Sequence, residues 1–220
     1  MIKEGIVITG GGSLLSKPEI DVNYLKKFRK IILSHIPKKR FFLYVGGGKI
    51  ARIYQKGLEA FGASNYCLDW IGIWITRMNA RVVKQVFGVY VEPEIIFNPT
   101  RKIKIRKPIV IAAGWKPGWS TDYDAVFLAK TYGMKTVVNL TNIDYVYDRD
   151  PRKSPDAKAF KKITWRQYRR LISGKWEPGL STPFDPVASK LAQKLNIKVV
   201  ILNGKYLNRL EEFLKTGKVI

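Results

Sequence analysis

Apolar residues along the chain fall into two patterns. Short unbroken runs, IVIT at 6–9, FFLYV at 41–45, PIVIAA at 108–113, TVVNL at 136–140 and VVIL at 199–202, have the length and branched or aromatic content of strands buried on both faces. Between them, apolar positions recur every three or four residues. In 21–35 they put Ile20, Tyr24, Leu25, Phe28, Ile31 and Ile32 on one side of a helix. The same spacing predicts helices over 49–61 and 69–87, closed by Gly62 and Gly88, and over 122–132, 165–173, 185–195 and 207–215. Segments 90–96 and 103–105 are expected as short strands of a hairpin-like excursion. The aromatics Trp70 and Trp74 and Ile73, on the third helix, are expected in the core, as helix-spaced aromatics usually are. Apolar strands alternating with helices predict an α/β fold: a mainly parallel sheet, helices on both faces and right-handed crossovers. No composition break marks a linker, so 1–220 is expected to be one domain.

Two joins between strand and helix stand out, IVITGGGSLL at 6–15 and FFLYVGGGKIAR at 41–52. Glycines there let a ligand approach the main chain, and a helix start offers free N–H groups and a positive dipole end to an anion. A tight turn is the plainer use of each triplet. Neither join fits a dinucleotide fingerprint or a Walker A loop. In open α/β sheets ligands sit at the carboxyl ends of the strands, so the informative loops are GGGS, GGGK, GWKPGWSTD and TNIDYVYDRDP. Lys49 and Arg52 stand in the first turn after the second join and can add charge to a held phosphate, or be solvated helix residues. Ser120 or Thr121 can cap the following helix, while Trp115 and Trp119 can cover a planar ring or pack the loop. Asp144, Asp148 and Asp150 gather three carboxylates, which near phosphates suggests Mg²⁺; turn chemistry is the simpler reading of such residues.

Charge and rare residues narrow the classes. Forty Lys and Arg against 17 Asp and Glu give a net charge of +23. That admits nucleic-acid binding, but the cations are spread through KKFRK, RKIKIRK, KAFKK and RQYRR without a dominant block, so a basic solvated surface is favoured. Cys67 is the only cysteine and His35 the only histidine, which excludes an intrachain disulfide, a Cys/His metal site and a Ser/His/Asp triad. His35 is expected at a helix C-terminus, facing the dipole. The N-terminus enters a strand at once and no apolar run approaches the ~20 residues of a membrane helix, so we expect no signal peptide, no membrane contact and a cytoplasmic location.

Taken in order, GGS, VGGGKIAR, DWIGIWITRMNAR, PGWSTD with Ala125 following, NLTNIDYVYDRDP with SPDAK, and FDPVASKLA resemble the amino acid kinase family over 6–203. The helix motif GI-x-x-TR-x-NA, Gly72 to Ala80, is similar to that of its archaeal-type UMP kinases. The resemblance implies a three-layer α/β/α sandwich and a homo-hexamer. It implies phosphoryl transfer from ATP, with Mg²⁺, to UMP without a covalent enzyme intermediate. By matching motifs, Gly11, Gly12 and Ser13 would face the transferring phosphates, and Gly48 and Arg52 the ATP side. Gly47 and Asp69 would contact UMP. Trp115, Lys116, Pro117, Gly118, Trp119, Ser120 and Thr121 would wrap it, with Thr121 near its phosphate. Thr141, Asn142, Tyr147 and Asp150 would hold adenosine and the ATP phosphates, and Asp185 would organise the reacting centre. Asp69 would open the long helix, where a cap is its other use.

Three positions depart from the family pattern. Thr9 stands where many members carry a strand lysine, a loss shared by the archaeal-type enzymes, and Lys49 is the candidate to supply that cation. Tyr145 replaces the glycine of N-x-D-G, and Trp115 replaces a common threonine. The rival readings are a kinase acting on another small acceptor and a nucleotide-binding protein without turnover, associating with polyanions. Isopentenyl phosphate kinases resemble a pattern with histidine beside the glycine loop, where this chain has Val45 and Lys49.

Overall fold

The computed structural model describes residues 4–10, 19–149, 151, 153–172 and 182–219. Gly11, Gly12, Ser13 and Asp150 lie outside the described residues.

The elements follow the apolar pattern. They are β1 (Glu4–Gly10), α1 (Val22–His35), β2 (Lys39–Val45), α2 (Gly48–Glu59), α3 (Asn65–Phe87), β3 (Ile109–Ala113), α4 (Thr121–Thr131), β4 (Thr136–Thr141), β5 (Val146–Tyr147), β6 (Ala159–Phe160), α5 (Trp165–Leu171), α6 (Pro186–Lys194), β7 (Lys198–Asn203) and α7 (Leu207–Thr216). The central sheet has the order β3-β2-β1-β4-β7, and every pairing in it is parallel.

Side chains alternate across each strand, so one continuous apolar run supplies two cores. Ile6, Ile8, Phe41, Leu43, Val45, Ile109 and Ile111 pack with α1, α3 and α7. Val7, Phe42, Tyr44, Val110, Ala112 and Val137 pack with α4 and α6. The helices start on local chemistry: Asp21 accepts from Tyr24 N at 2.9 Å ahead of α1, and Thr164 with Gln167 forms a capping box on α5. His35 closes α1 with Nδ1 2.8 Å from Ile31 O.

Three sequence expectations are corrected. The 90–96 and 103–105 segments do not form a hairpin. A 3₁₀ turn at Gly88–Tyr90 leads into single parallel bridges, Val91 with Ile109 and Ile96 with Ala112. Pro93 and Pro99 remove ladder donors there, and the buried Glu92 carboxylate accepts from the Arg106 and Lys107 amides in place of a second strand. The long helix opens at Asn65 and not at Asp69. Ser64 is its cap, accepting from Cys67 N at 3.3 Å, which frees Asp69 for another use. The α3 residues expected in the core divide: Ile73 is buried, Trp70 is half-buried and Trp74 is 58% exposed. A four-residue spacing from Tyr66 through Trp70 and Trp74 to Met78 runs up the side of α3 away from the sheet.

Phe87, at the end of α3, is fully buried and meets Phe28 of α1 edge to face, with centroids 6.0 Å apart. Phe87→Ala should lower the unfolding free energy in urea by about 3–5 kcal/mol, the usual cost of emptying a buried aromatic site.

Candidate active site

The parallel sheet brings the carboxyl ends of all five strands to one rim. Gly10 and Val45 are register partners, and Gly46 N donates to Gly10 O at 3.2 Å, so the strand ends that open into the two glycine joins are neighbours. The second join is shaped by contacts a side chain would destroy. A Cβ on Gly47 would stand 2.6 Å from Ala51 Cβ, and Gly48 has φ +65°. Asn79, buried on α3, donates from Nδ2 to Gly46 O at 2.9 Å and reaches Gly47 O at 3.5 Å. A trans peptide points its N–H opposite its carbonyl, so the amides of Gly47 and Gly48 face away from α3. Lys49 and Arg52 are exposed on the first turn of α2.

The β3 exit is held by the same helix. Thr76 Oγ1 accepts from Gly114 N at 2.9 Å and donates to Ile73 O at 2.7 Å. Arg77 Nε donates to Gly114 O at 3.2 Å and its Nη2 to Trp115 O at 2.8 Å. The Arg77 guanidinium lies 4.7 Å over Phe97 and 5.8 Å from the Trp70 ring centre, a stacking that fixes its fork. Gly118 N donates to Asp69 Oδ2 at 2.7 Å. Burial raises the Asp69 carboxyl, and the Gly118 amide pulls it partly back. Trp115 stacks near Trp119, with centroids 6.5 Å apart, and Trp119 stacks on Tyr123 at 4.2 Å. Lys116 Nζ sits 4.3 Å over Trp115. Pro117 is half-buried at the bend.

Ser120 caps α4, accepting from Tyr123 N at 3.1 Å, and Thr121 is the first helical residue. Asp185 caps α6, with Oδ1 taking Ala188 N at 2.6 Å, and its own amide donates to Asp122 Oδ2 at 3.0 Å. The two helix starts are thereby joined through backbone and carboxylate. Burial pushes the Asp122 carboxyl up to about 7, opposed by the Asp185 amide and reinforced by the Asp185 charge. Burial likewise raises Asp185.

At the β4 exit, Thr141 Oγ1 accepts from Ile143 N at 3.1 Å. Asn142 is exposed and Tyr147 is half-buried. Of the expected carboxylate cluster, the two described members have partners of their own. Asp144 pairs with Arg209 at 2.7 Å, and Asp148 accepts from Lys158 N at 2.8 Å across the β5–β6 ladder. No group of three His, Cys, Asp or Glu gathers among the described residues. Turn and ladder chemistry account for this stretch. Tyr145 and Tyr206 flank the Arg209 guanidinium at 5.6 and 5.4 Å, so the tyrosine in the glycine position holds the arginine that holds the loop.

The structure thus brings Gly47, Gly48, Asp69, 114–121 and Asp185 to one rim, with Thr141 at the end of a neighbouring strand. The residues that shape the site beneath them, Thr76, Arg77, Asn79, Asp122 and Asp124, had no individual role in the sequence reading, although all but Asp124 stand in the motifs that carry the resemblance. Thr76 and Asn79 were detectable as polar positions on the buried side of an apolar helix, which require partners.

Comparison with known proteins places this arrangement. The chain is 32% identical over 218 residues to a uridylate kinase of Methanospirillum hungatei, covering 98% of this chain and 92% of the relative. It is 34% identical over 217 residues to a uridylate kinase of Thermoplasma volcanium, covering 97% and 94%. The crystal structure of uridylate kinase from Archaeoglobus fulgidus superposes with a TM-score of 0.80 at 28% identity, over 97% of this chain and 96% of that one. The sequence profile described as the amino acid kinase family matches residues 4–203. The chain belongs to the amino acid kinase family.

Proposed function

We propose that this chain, working as one domain, transfers the γ-phosphoryl group of ATP to UMP. The observation that carries the reading is the rim itself. Motif residues of α3 hold the β2 and β3 exits side by side, in a chain similar along its whole length to uridylate kinases. A UMP phosphate oxygen attacks the γ-phosphorus, the bond to the β–γ bridging oxygen breaks, and UDP and ADP leave. No side chain need form a covalent bond; alignment and charge neutralisation supply the rate.

Asp69 and the 114–121 loop receive UMP, and Thr121 meets its phosphate at the start of α4. Gly47 touches UMP, while Gly48, Arg52 and the β4 exit face ATP through Thr141, Asn142 and Tyr147. Gly11, Gly12, Ser13 and Asp150 complete that side by resemblance. Asp185 orders the centre by capping α6 and joining it to α4. Thr9 is buried in β1 and carries no charge, so Lys49 supplies the cation. Mg²⁺ arrives with ATP, bound by phosphate oxygens and water, which fits a rim without a three-carboxylate cage among its described residues. No helix among the described residues is long and apolar enough to cross a membrane, and a cytoplasmic enzyme fits that. Nucleic acid remains a disfavoured partner.

The exposed stripe of Tyr66, Trp74 and Met78 supports assembly through α3 against a second copy of the chain, within a homo-hexamer. Trp74→Glu should shift the mass measured by light scattering to smaller species; an unchanged mass rejects this contact.

An assay of ADP release with UMP, CMP, AMP and isopentenyl phosphate as acceptors should show turnover with UMP and Mg²⁺; none above background rejects the reading. Lys49→Met should lower kcat far more than it raises KM for either nucleotide, and an unchanged kcat removes Lys49 from the mechanism. The Asp144–Arg209 pair is partly exposed, so Arg209→Gln should raise KM for ATP by only about fivefold or less, with KM for UMP unchanged.

A further inference from the structure

One buried carboxylate takes no part in the reaction described. Asp124 on α4 and Tyr44 on β2 are each 1% exposed. Tyr44 Oη lies 2.6 Å from Ala113 O and 2.8 Å from Asp124 Oδ2. A phenol has one proton to donate. If an ionised carboxylate takes it, the Ala113 carbonyl faces a phenol lone pair at contact distance, and the two repel. If the carboxyl is protonated, it donates to Tyr44 Oη and Tyr44 donates to Ala113 O, so both short contacts are hydrogen bonds. Asp124 Oδ1 points the same way: it is buried without a hydrogen-bond partner, a position tolerable for a neutral carbonyl oxygen and costly for one sharing a full charge.

The pair sits at a junction. Ala113 ends β3 and Trp115 opens the acceptor loop, and Trp115 N donates to Asp124 Oδ2 at 3.2 Å. Tyr44 and Asp124 therefore grip the chain on both sides of Gly114, opposite the grip of Thr76 and Arg77. We propose that Asp124 is a positioning residue that acts as the neutral acid: protonated, it and Tyr44 hold the 114–119 loop in the form that receives the acceptor nucleotide, and loss of that proton loosens the loop. Burial favours the proton against the charged and polar neighbours. Tyr44 faces Asp124 from β2, Lys116 acts on it from the loop, Arg77 reaches Tyr44 from α3, and Tyr123 neighbours it on α4. Burial outweighs the Lys116 charge and the two donors, and pushes the Asp124 carboxyl up to about 7.

The kinetic test rests on UMP being the acceptor; a second test does not. If only the neutral acid is competent, KM for UMP should rise about tenfold between about pH 6 and about pH 8, with a smaller change in kcat at saturation. Asp124→Asn has no titrating carboxyl at this position, so its KM, whatever its level, should lack that rise. The UMP phosphate and Asp122 titrate in both proteins, so the ratio of the two KM values isolates Asp124. A ratio independent of pH overturns the proposal. Tyr44→Phe should raise KM for UMP across the range; a wild-type value overturns the role of the pair.

Thermal unfolding gives the independent arm. A carboxyl raised from 3.8 to about 7 on folding contributes stability that is complete below about pH 4 and lost as pH rises through about 7. The Tm of Asp124→Asn minus that of wild type should therefore increase over this window, and a constant difference overturns the neutral acid. If UMP is not a substrate, the turnover assay shows it, while the melting comparison still decides the state of Asp124.

Discussion

Three polar side chains on one turn of α3 hold the main chain of two loops that have no ladder to hold them. Thr76, Arg77 and Asn79 take up the Gly114 amide and the carbonyls of Gly46, Gly114 and Trp115. Backbone groups leaving a buried sheet must find partners, and a buried hydroxyl or amide must do the same. Each deficit answers the other, and the loop positions follow from the position of the helix. The helix is in turn fixed by Val83, Ala80 and Phe87 in the core. The apolar face of α3 sets where the helix lies, and its buried polar residues turn that placement into a site.

The opposite face of the sheet closes the arrangement with carboxylates. Asp122, Asp124 and Asp185 are raised in a chain whose net charge is +23. Surface cations more than a Debye length away, about 8–10 Å, are largely screened, whereas desolvation acts at the group itself. Burial therefore wins over bulk charge at the rim. Asp122 and Asp185 spend their oxygens on the Asp185 and Ala188 amides, tying two helix starts into one unit.

Three carboxylates close in sequence suggest a metal, yet the two described ones, Asp144 and Asp148, each have a partner elsewhere in the fold. Asp144 turns to Arg209 and Asp148 to the Lys158 amide. The tyrosine that departs from the family pattern is part of the same device, since Tyr145 lies against the Arg209 guanidinium.

Much of the architecture was legible in residue order, because a strand buried on both faces and an amphipathic helix leave distinct periods. The five parallel strands and seven helices among the described residues follow from those periods and from the direction of crossovers. The family motifs marked which loops matter. The opening of α3 at Asn65, capped by Ser64, was missed because Asp69 is itself a residue type that starts helices. The hairpin expected at 90–105 does not form because Glu92, 14 and 15 residues from Arg106 and Lys107, satisfies their amides. Nothing local marks Trp74 as exposed beside a buried Ile73, since that depends on which neighbour covers each side. The pairing of Tyr44 with Asp124, 80 positions apart, arises only when β2 and α4 are packed. Short-range periodicity is written into the chain one turn at a time, while partners across the core are chosen by packing that no window of sequence contains.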